Sequence, residues 1–154
     1  LPLFILPLLN VPYLFIGTNE NIFDAFARSI FVGIMEELIF RGCLFRGIEE
    51  KYNTQKAVVV TGIIFGLFHL SNLVSTPIYY VVLQVIYASA IGILFAVIFS
   101  MTDSLFLCIG IHFLVDMIAF IGGDNYNIIV ESFFTIVCVV VTACYVVMWK
   151  KNEA

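Results

Sequence analysis

The chain alternates long apolar runs with short polar interruptions. The apolar runs cover about 1–16, 22–50, 55–71, 77–101, 104–121 and 127–149, and each ends in a polar cluster such as EEKYNTQ or GGDNYN. Most approach the roughly 20 residues that an α-helix needs to cross a bilayer. They are continuously apolar, whereas the strands of a membrane β-barrel alternate in polarity. The pattern predicts an all-α protein, a polytopic transmembrane helical bundle with about five to six membrane segments.

Composition strengthens the membrane interpretation and excludes other classes. Of the 154 residues, 62% are hydrophobic and only 12% are charged. A soluble domain of this length leaves too much surface exposed to hide so many apolar side chains. The net charge of -4 and the absence of a basic patch in the sequence argue against nucleic-acid binding. We expect one domain over 1–154, with its motifs in 22–120; because the chain starts at Leu1, we also expect its native start to be missing.

The basic residues predict an orientation. Arg46, Lys51 and Lys56 flank the connection after the second run, and Lys150 and Lys151 follow the last one. Five alternating crossings from the second run to the last place both clusters on the same side. By the positive-inside rule, that connection and the C-terminus are cytoplasmic. We therefore expect an integral membrane protein with both basic clusters in the cytoplasm.

Several ionisable side chains lie inside the apolar runs, where such a group is expensive and by default marks a functional site. These residues are Glu36, Glu37, Arg41, His69, His112 and Asp116. On an α-helix Glu37 and Arg41 are spaced i, i+4 and can pair. Glu36 lies about 100° around the helix from Glu37 and faces another direction. This favours Glu36 as a general base, with the Glu37–Arg41 pair holding the site in place.

The two histidines lie on separate runs. His69 shares a helix face with Phe65, and a histidine in that setting is more often a packing residue than a functional one. His112 and Asp116 are also spaced i, i+4, so the carboxylate either orients the ring or joins it as a metal ligand. Measured along the helices, Glu36, His69 and His112 lie roughly 12–21 Å from the cytoplasmic ends and can meet at one depth.

Three short motifs resemble those of the CAAX protease and bacteriocin-processing family, the CPBP intramembrane proteases. EELIFRG (36–42) resembles its E-E-x-x-x-R motif, FGLFH (65–69) its F-x-x-x-H motif, and HFLVD (112–116) its H-x-x-x-N/D motif. The motifs occur in the family's order on three apolar runs, within about 22–120. One position departs from the best-understood prenyl-protein proteases, which carry Asn where this chain has Asp116.

The resemblance implies an intramembrane endopeptidase with a cavity among its helices. Glu36 would activate a water with help from His69, and Glu37 and Arg41 would support Glu36. His112 and Asp116 would stabilise the oxyanion or help bind a metal. An ionised Asp116 cannot donate a hydrogen bond to an oxyanion, which favours the metal alternative. We nevertheless prefer glutamate chemistry without a cofactor, because the resemblance favours a water activated by Glu36 and the sequence has no H-E-x-x-H motif.

The metal alternative, the partners and the location complete the sequence-based expectations. If an ion such as Zn²⁺ is bound, its ligands would come from Glu36, His69, His112 and Asp116. The expected partners are membrane lipids and a peptide or lipid-modified protein substrate, and the expected location is a bacterial cell membrane. Two other functions stay open: a non-catalytic immunity or scaffold protein that binds a peptide, and a proton-coupled transporter. The transporter is disfavoured because the sequence shows no internal repeat.

Overall fold

A computed structural model describes Val11, residues 21–122 and residues 127–153, and over these residues the chain is helical with no strand. The apolar run 1–16 lies, apart from Val11, outside the described residues. The helices are α1 (Ile22–Glu37), a π-helix (Leu38–Phe45), α2 (Arg46–Lys51), α3 (Thr54–Phe68), a 3₁₀-helix (His69–Val74), α4 (Ile78–Thr102), α5 (Leu105–Gly122) and α6 (Ile128–Glu153). The all-α prediction is confirmed.

Three helical stretches are long and apolar enough to cross a membrane: Thr54–Val74, Ile78–Thr102 and Ile128–Lys151. A shorter apolar helix covers Leu105–Ile121. These stretches fall on the predicted apolar runs to within a few residues. The protein is therefore an integral membrane protein built from helices.

The described residues pack as two compact units. In the first unit, from residues 1–39 and 104–126, the described residues include α1, which packs against α5. The Asn21 side chain accepts a hydrogen bond from the amide of Phe23 and so begins α1. A Cβ added to Gly33 would lie 3.5 Å from the Phe113 amide nitrogen and 3.8 Å from the His112 Cβ. The two helices therefore approach closely at the level of His112.

The second unit, from residues 40–103 and 127–154, contains α3, α4 and α6. Helices α3 and α4 touch through small residues, since a Cβ at Gly62 would lie 2.6 Å from the Ile93 amide nitrogen. Helix α6 joins α4 through the Thr142 hydroxyl, which donates to the Ala90 carbonyl at 3.0 Å. The core of this unit is thus arranged around α4, which contacts both α3 and α6.

Two predicted runs are not uniform α-helices. The run 22–50 changes to π-helix over Leu38–Phe45, and the run 55–71 ends in a 3₁₀-helix that starts at His69. A π-helix pairs residue i with i+5, so the backbone at Arg41 is not the regular α-helix that the spacing of Glu37 and Arg41 assumes. Hydrophobic periodicity does not distinguish these helix types, because a fully apolar run presents no polar face to count from.

Candidate active site

The first unit brings together four of the predicted site residues. Glu36 and Glu37 end α1, and His112 and Asp116 lie one turn apart on α5. The remaining two, Arg41 and His69, belong to the second unit.

His112 is held by a buried carboxylate. Its Nδ1 lies 2.8 Å from Oε1 of Glu37, whose side chain is 0% exposed. A carboxylate only accepts hydrogen bonds, so Nδ1 carries the hydrogen and donates it. This contact fixes the ring orientation and leaves Nε2 as the reactive nitrogen, as a carboxylate on Nδ1 does in many catalytic histidines.

Two further carboxylates face the other side of the ring. His112 Nε2 lies 3.8 Å from Oε2 of Glu36 and 3.5 Å from Oδ2 of Asp116. The Glu36 side chain is 16% exposed and the Asp116 side chain is 19% exposed, whereas the Glu37 side chain is 0% exposed. Glu36 and Asp116, which are partly exposed, therefore lie on the Nε2 side of the ring, and the buried Glu37 lies on the Nδ1 side.

The packing of α1 explains why Glu37 is the buried glutamate. Its buried side consists of residues four apart: Ala25, Ser29, Gly33 and Glu37. The Ser29 hydroxyl donates a hydrogen bond to the Ala25 carbonyl of the same helix at 2.6 Å, so it is satisfied within α1. Small residues along this face let α5 approach, so the one long side chain at its end reaches the ring of His112. Glu36 is displaced by about 100° and stays at the edge of the contact.

Sequence spacing assigned the orienting role differently. Asp116 was expected either to orient His112 or to join it as a ligand, but Nδ1 takes Glu37 and Asp116 lies on the Nε2 side. Local spacing does not reveal the Glu37 contact, because Glu37 and His112 are 75 positions apart in the chain. Glu37 was expected to support Glu36, and in the structure it contacts His112.

Arg41 is deeply buried in the second unit. Its Nη2 donates to the Gly92 carbonyl at 2.9 Å, and its guanidinium lies 4.9 Å from the ring centroid of Phe65 and 5.3 Å from that of Phe95. Sequence analysis did not predict Gly92 and Phe95 as partners of Arg41, because Gly92 lies 51 positions away in the chain. The predicted Glu37–Arg41 pair stays a prediction.

His69 lies where α3 gives way to the 3₁₀-helix. Its Nδ1 lies 3.0 Å from the Phe65 carbonyl oxygen, which only accepts, so Nδ1 carries the hydrogen. The neutral ring then presents Nε2 as a hydrogen-bond acceptor or base. The Phe65 ring packs 5.3 Å from the His69 ring, so the first residue of the F-x-x-x-H motif both supports the imidazole and sets its tautomer.

The donor set does not match a metal centre. Among the described residues no group of three or more His, Cys, Asp and Glu side chains is arranged to hold a metal ion. Glu37 contacts Nδ1 of His112, and the carboxylates of Glu36 and Asp116 lie on the Nε2 side of the ring.

Comparison with known proteins gives one match. A family model described as type II CAAX prenyl endopeptidase Rce1-like matches residues 18–118, which is more than half of the chain. No curated protein and no solved structure gave a match. The matched range contains the Glu36–Glu37–His112–Asp116 cluster as well as Arg41 and His69, in agreement with the three motifs. The chain therefore belongs to the type II CAAX prenyl endopeptidase Rce1-like family.

Proposed function

We propose that the protein is an intramembrane endopeptidase in which Glu36 activates a water for attack on a peptide bond. The observation that carries the proposal is the cluster around His112, with Glu37 fixing Nδ1 and the partly exposed Glu36 on the Nε2 side. Two adjacent glutamates in such different surroundings are suited to different tasks, one as a base and one as a fixed anchor. Family membership supports a protease of the CAAX type.

The proposed reaction needs one base and one hydrogen-bond donor. Glu36 takes a proton from water as the water oxygen bonds to the peptide carbonyl carbon, and the carbonyl oxygen becomes negatively charged. When the tetrahedral intermediate breaks its C–N bond, Glu36 returns that proton to the leaving amine. The water is consumed, two peptide fragments leave, and the carboxylate of Glu36 is restored.

His112 is proposed to stabilise the oxyanion. Its Nε2 is 3.8 Å from Glu36 and 3.5 Å from Asp116. Without a proton, the Nε2 lone pair repels both carboxylates; with a proton, Nε2–H attracts them. A doubly protonated ring, balanced by Glu37 on its other nitrogen, donates Nε2–H to the developing negative charge. Asp116 then has no need to donate, which is consistent with an aspartate where the best-understood prenyl-protein proteases carry asparagine.

His69 and Arg41 keep the roles that the family resemblance implies. His69 helps position the attacking water through Nε2, in keeping with its Nδ1–H bond to Phe65. Arg41 supports the end of α1 through the π-helix that follows it. We further propose that the substrate is a membrane-associated peptide or a lipid-modified protein, and that the enzyme works in a bacterial cell membrane.

A peptide-cleavage assay in liposomes tests the proposal. Glu36→Gln keeps the size of the side chain and removes the base, so the cleavage rate should fall by about 10²–10⁴-fold. Glu50→Gln, at an exposed position on α2, removes a carboxylate elsewhere and should leave the rate unchanged. A Glu36→Gln protein that cleaves at the wild-type rate would falsify the role of Glu36. Peptide binding without cleavage by the wild type would point to the immunity or scaffold function instead.

Elemental analysis distinguishes glutamate chemistry from a metalloprotease. We expect the purified protein to contain no stoichiometric zinc, and a chelator to leave the cleavage rate unchanged. Zinc at one ion per chain, lost together with activity on chelation, would overturn the glutamate mechanism.

A further inference from the structure

A cleft lies in the second unit between the start of α3, the middle of α4 and the end of α6. Its volume is about 460 Å³, within the range of small-molecule sites. Its polar lining includes Asn53 and Lys56 from the start of α3 and Lys150 from the end of α6, with Trp149 beside them. No function proposed above uses this cleft.

The cleft is positively charged. Lys56 and Lys150 both line it, and its lining includes no Asp or Glu, although all the lining residues are described. Neither lysine forms an ion pair with a carboxylate among the described parts of the chain, and the Lys56 ammonium lies 4.9 Å from the centroid of the Tyr52 ring. The two ammonium groups therefore attract an anion from outside the protein.

The position of the cleft along the helices selects the kind of anion. Lys56 is close to the start of the candidate span Thr54–Val74, and Lys150 is close to the end of the span Ile128–Lys151. Lysines and a tryptophan at the ends of membrane spans lie at the level of the lipid headgroups. Beyond them the walls turn apolar at Val59 and Ile93, and Val60 is about 9 Å deeper than Thr54 along α3.

We propose that this cleft binds an anionic phospholipid of the surrounding membrane. Lys56 and Lys150 hold the phosphate of the headgroup, and Asn53 offers a side-chain amide beside it. The upper part of an acyl chain follows Val59, whose side chain is 48% exposed and so opens the cleft towards lipid. A cleft with cationic side chains at its opening and apolar side chains deeper inside fits a lipid better than a free anion, because a free anion has no apolar part to contact the apolar side chains.

Lipid titration followed by native mass spectrometry tests the site. The purified full chain is titrated in detergent with phosphatidylglycerol or with phosphatidylcholine of the same acyl chains. A basic side chain near an anionic headgroup changes affinity about fivefold, so Lys56→Gln combined with Lys150→Gln should weaken phosphatidylglycerol binding about 25-fold. The wild type should bind phosphatidylglycerol at least about fivefold more tightly than phosphatidylcholine.

A matched control keeps the charge change and moves it away from the cleft. Lys51→Gln combined with Lys151→Gln removes the same charge from the same end of the molecule, at exposed positions that do not line the cleft. This control should change phosphatidylglycerol binding less than about threefold. Val59→Trp narrows the apolar part and should weaken both lipids while leaving their ratio unchanged.

Three results would overturn the proposal. Equal affinity of the wild type for the two lipids would remove the anionic headgroup as the ligand. Equal loss of binding in the two double variants would reduce the effect to net charge. Displacement of phosphatidylglycerol by millimolar inorganic phosphate would identify the site as one for free phosphate and not for lipid.

Discussion

Glu36 and Glu37 are neighbours in the sequence and differ in almost every physical respect. Glu37 is 0% exposed and accepts a hydrogen bond from His112, whereas Glu36 is partly exposed on the other side of the same ring. A buried carboxylate needs a fixed hydrogen-bond partner, because an uncompensated charge in a low-dielectric interior is very costly. In the proposed mechanism Glu36, which is partly exposed, exchanges a proton with water. The different roles of Glu36 and Glu37 in the proposed mechanism follow from this difference in burial.

Substitutions at Glu37 and Asp116 should therefore differ in their effects. Glu37→Ala removes the acceptor of the His112 Nδ1–H, and we expect the cleavage rate to fall at least about 100-fold. Glu37→Gln still offers an amide oxygen to Nδ1 and should recover part of the loss. Asp116→Asn should cost less than about tenfold, because Asp116 lies 3.5 Å from Nε2 and is not proposed to donate. Rates with one peptide substrate decide it, and a larger loss for Asp116→Asn than for Glu37→Ala would contradict the assignment.

Arg41 should matter to stability as well as to activity. Arg41→Ala removes a charge-assisted hydrogen bond to the Gly92 carbonyl and the contacts with two aromatic rings. We expect the free energy of unfolding to fall by about 2–4 kcal/mol. Arg46, whose ion pairs with Glu49 and Asp103 are open to solvent and whose guanidinium lies 4.7 Å from the Phe99 ring centroid, provides a comparison: Arg46→Ala should cost about 1 kcal/mol. Thermal unfolding in detergent measures both, and equal midpoints would refute the structural role of Arg41.

At this scale the sequence predicts which residues are unusual, but not which atoms they contact. Glu36, Glu37, Arg41, His69, His112 and Asp116 are conspicuous because charge inside an apolar run is expensive. The bond from His112 to Glu37 and the bond from Arg41 to Gly92 join residues far apart in the chain. Local spacing predicts only near partners; of these, Asp116 lies 3.5 Å from Nε2 of His112, and the Glu37–Arg41 pair stays a prediction.

Close helix contacts in the second unit depend on glycine. A Cβ at Gly66 would lie 2.6 Å from the Val85 carbonyl oxygen and 2.7 Å from the Ser89 amide nitrogen, both backbone atoms that cannot move aside alone. Gly66→Ala should therefore push α3 from α4 and lower the free energy of unfolding by about 1–3 kcal/mol. Gly110→Ala is the control, since its Cβ meets nothing within 4 Å, and it should be neutral or stabilising by up to about 1 kcal/mol. Thermal unfolding of the two variants under one condition tests the difference, and a Gly66→Ala protein as stable as wild type would show that the two helices separate at no cost.

Elements follow from the sequence more closely than contacts do. The predicted run 77–101 became α4 (Ile78–Thr102), because a long apolar run bounded by Pro77 and a polar turn allows only one helix there. At its end Asp103 takes the left-handed conformation that stops a helix, with φ of 52°. The π-helix and the 3₁₀-helix were not predicted, since both continue the apolar pattern and differ only in backbone hydrogen bonding. Both carry motif residues, Arg41 and His69, in keeping with the frequent presence of irregular turns at functional sites.

For the whole molecule, the basic residues at the helix ends serve two purposes. Arg46, Lys51 and Lys56 lie near the start of one span, and Lys150 and Lys151 end another. We propose that both clusters lie on the cytoplasmic side, as the positive-inside rule predicts. The same lysines at 56 and 150 form the mouth of the proposed lipid site, so the cytoplasmic leaflet, which is rich in anionic lipid, would both orient the protein and supply its ligand.

The proposed orientation is tested with single cysteines at the two ends of one span. In a background without the native cysteines, Glu50→Cys lies before the span Thr54–Val74 and Ser75→Cys lies just after it, and both positions are exposed. Because the span crosses the membrane once, the two positions must lie on opposite sides. A membrane-impermeant maleimide added to intact cells should label Ser75→Cys at once and Glu50→Cys only after lysis. The reverse pattern would invert the topology, place Lys56 and Lys150 on the outer face, and require the anionic lipid to come from the outer leaflet.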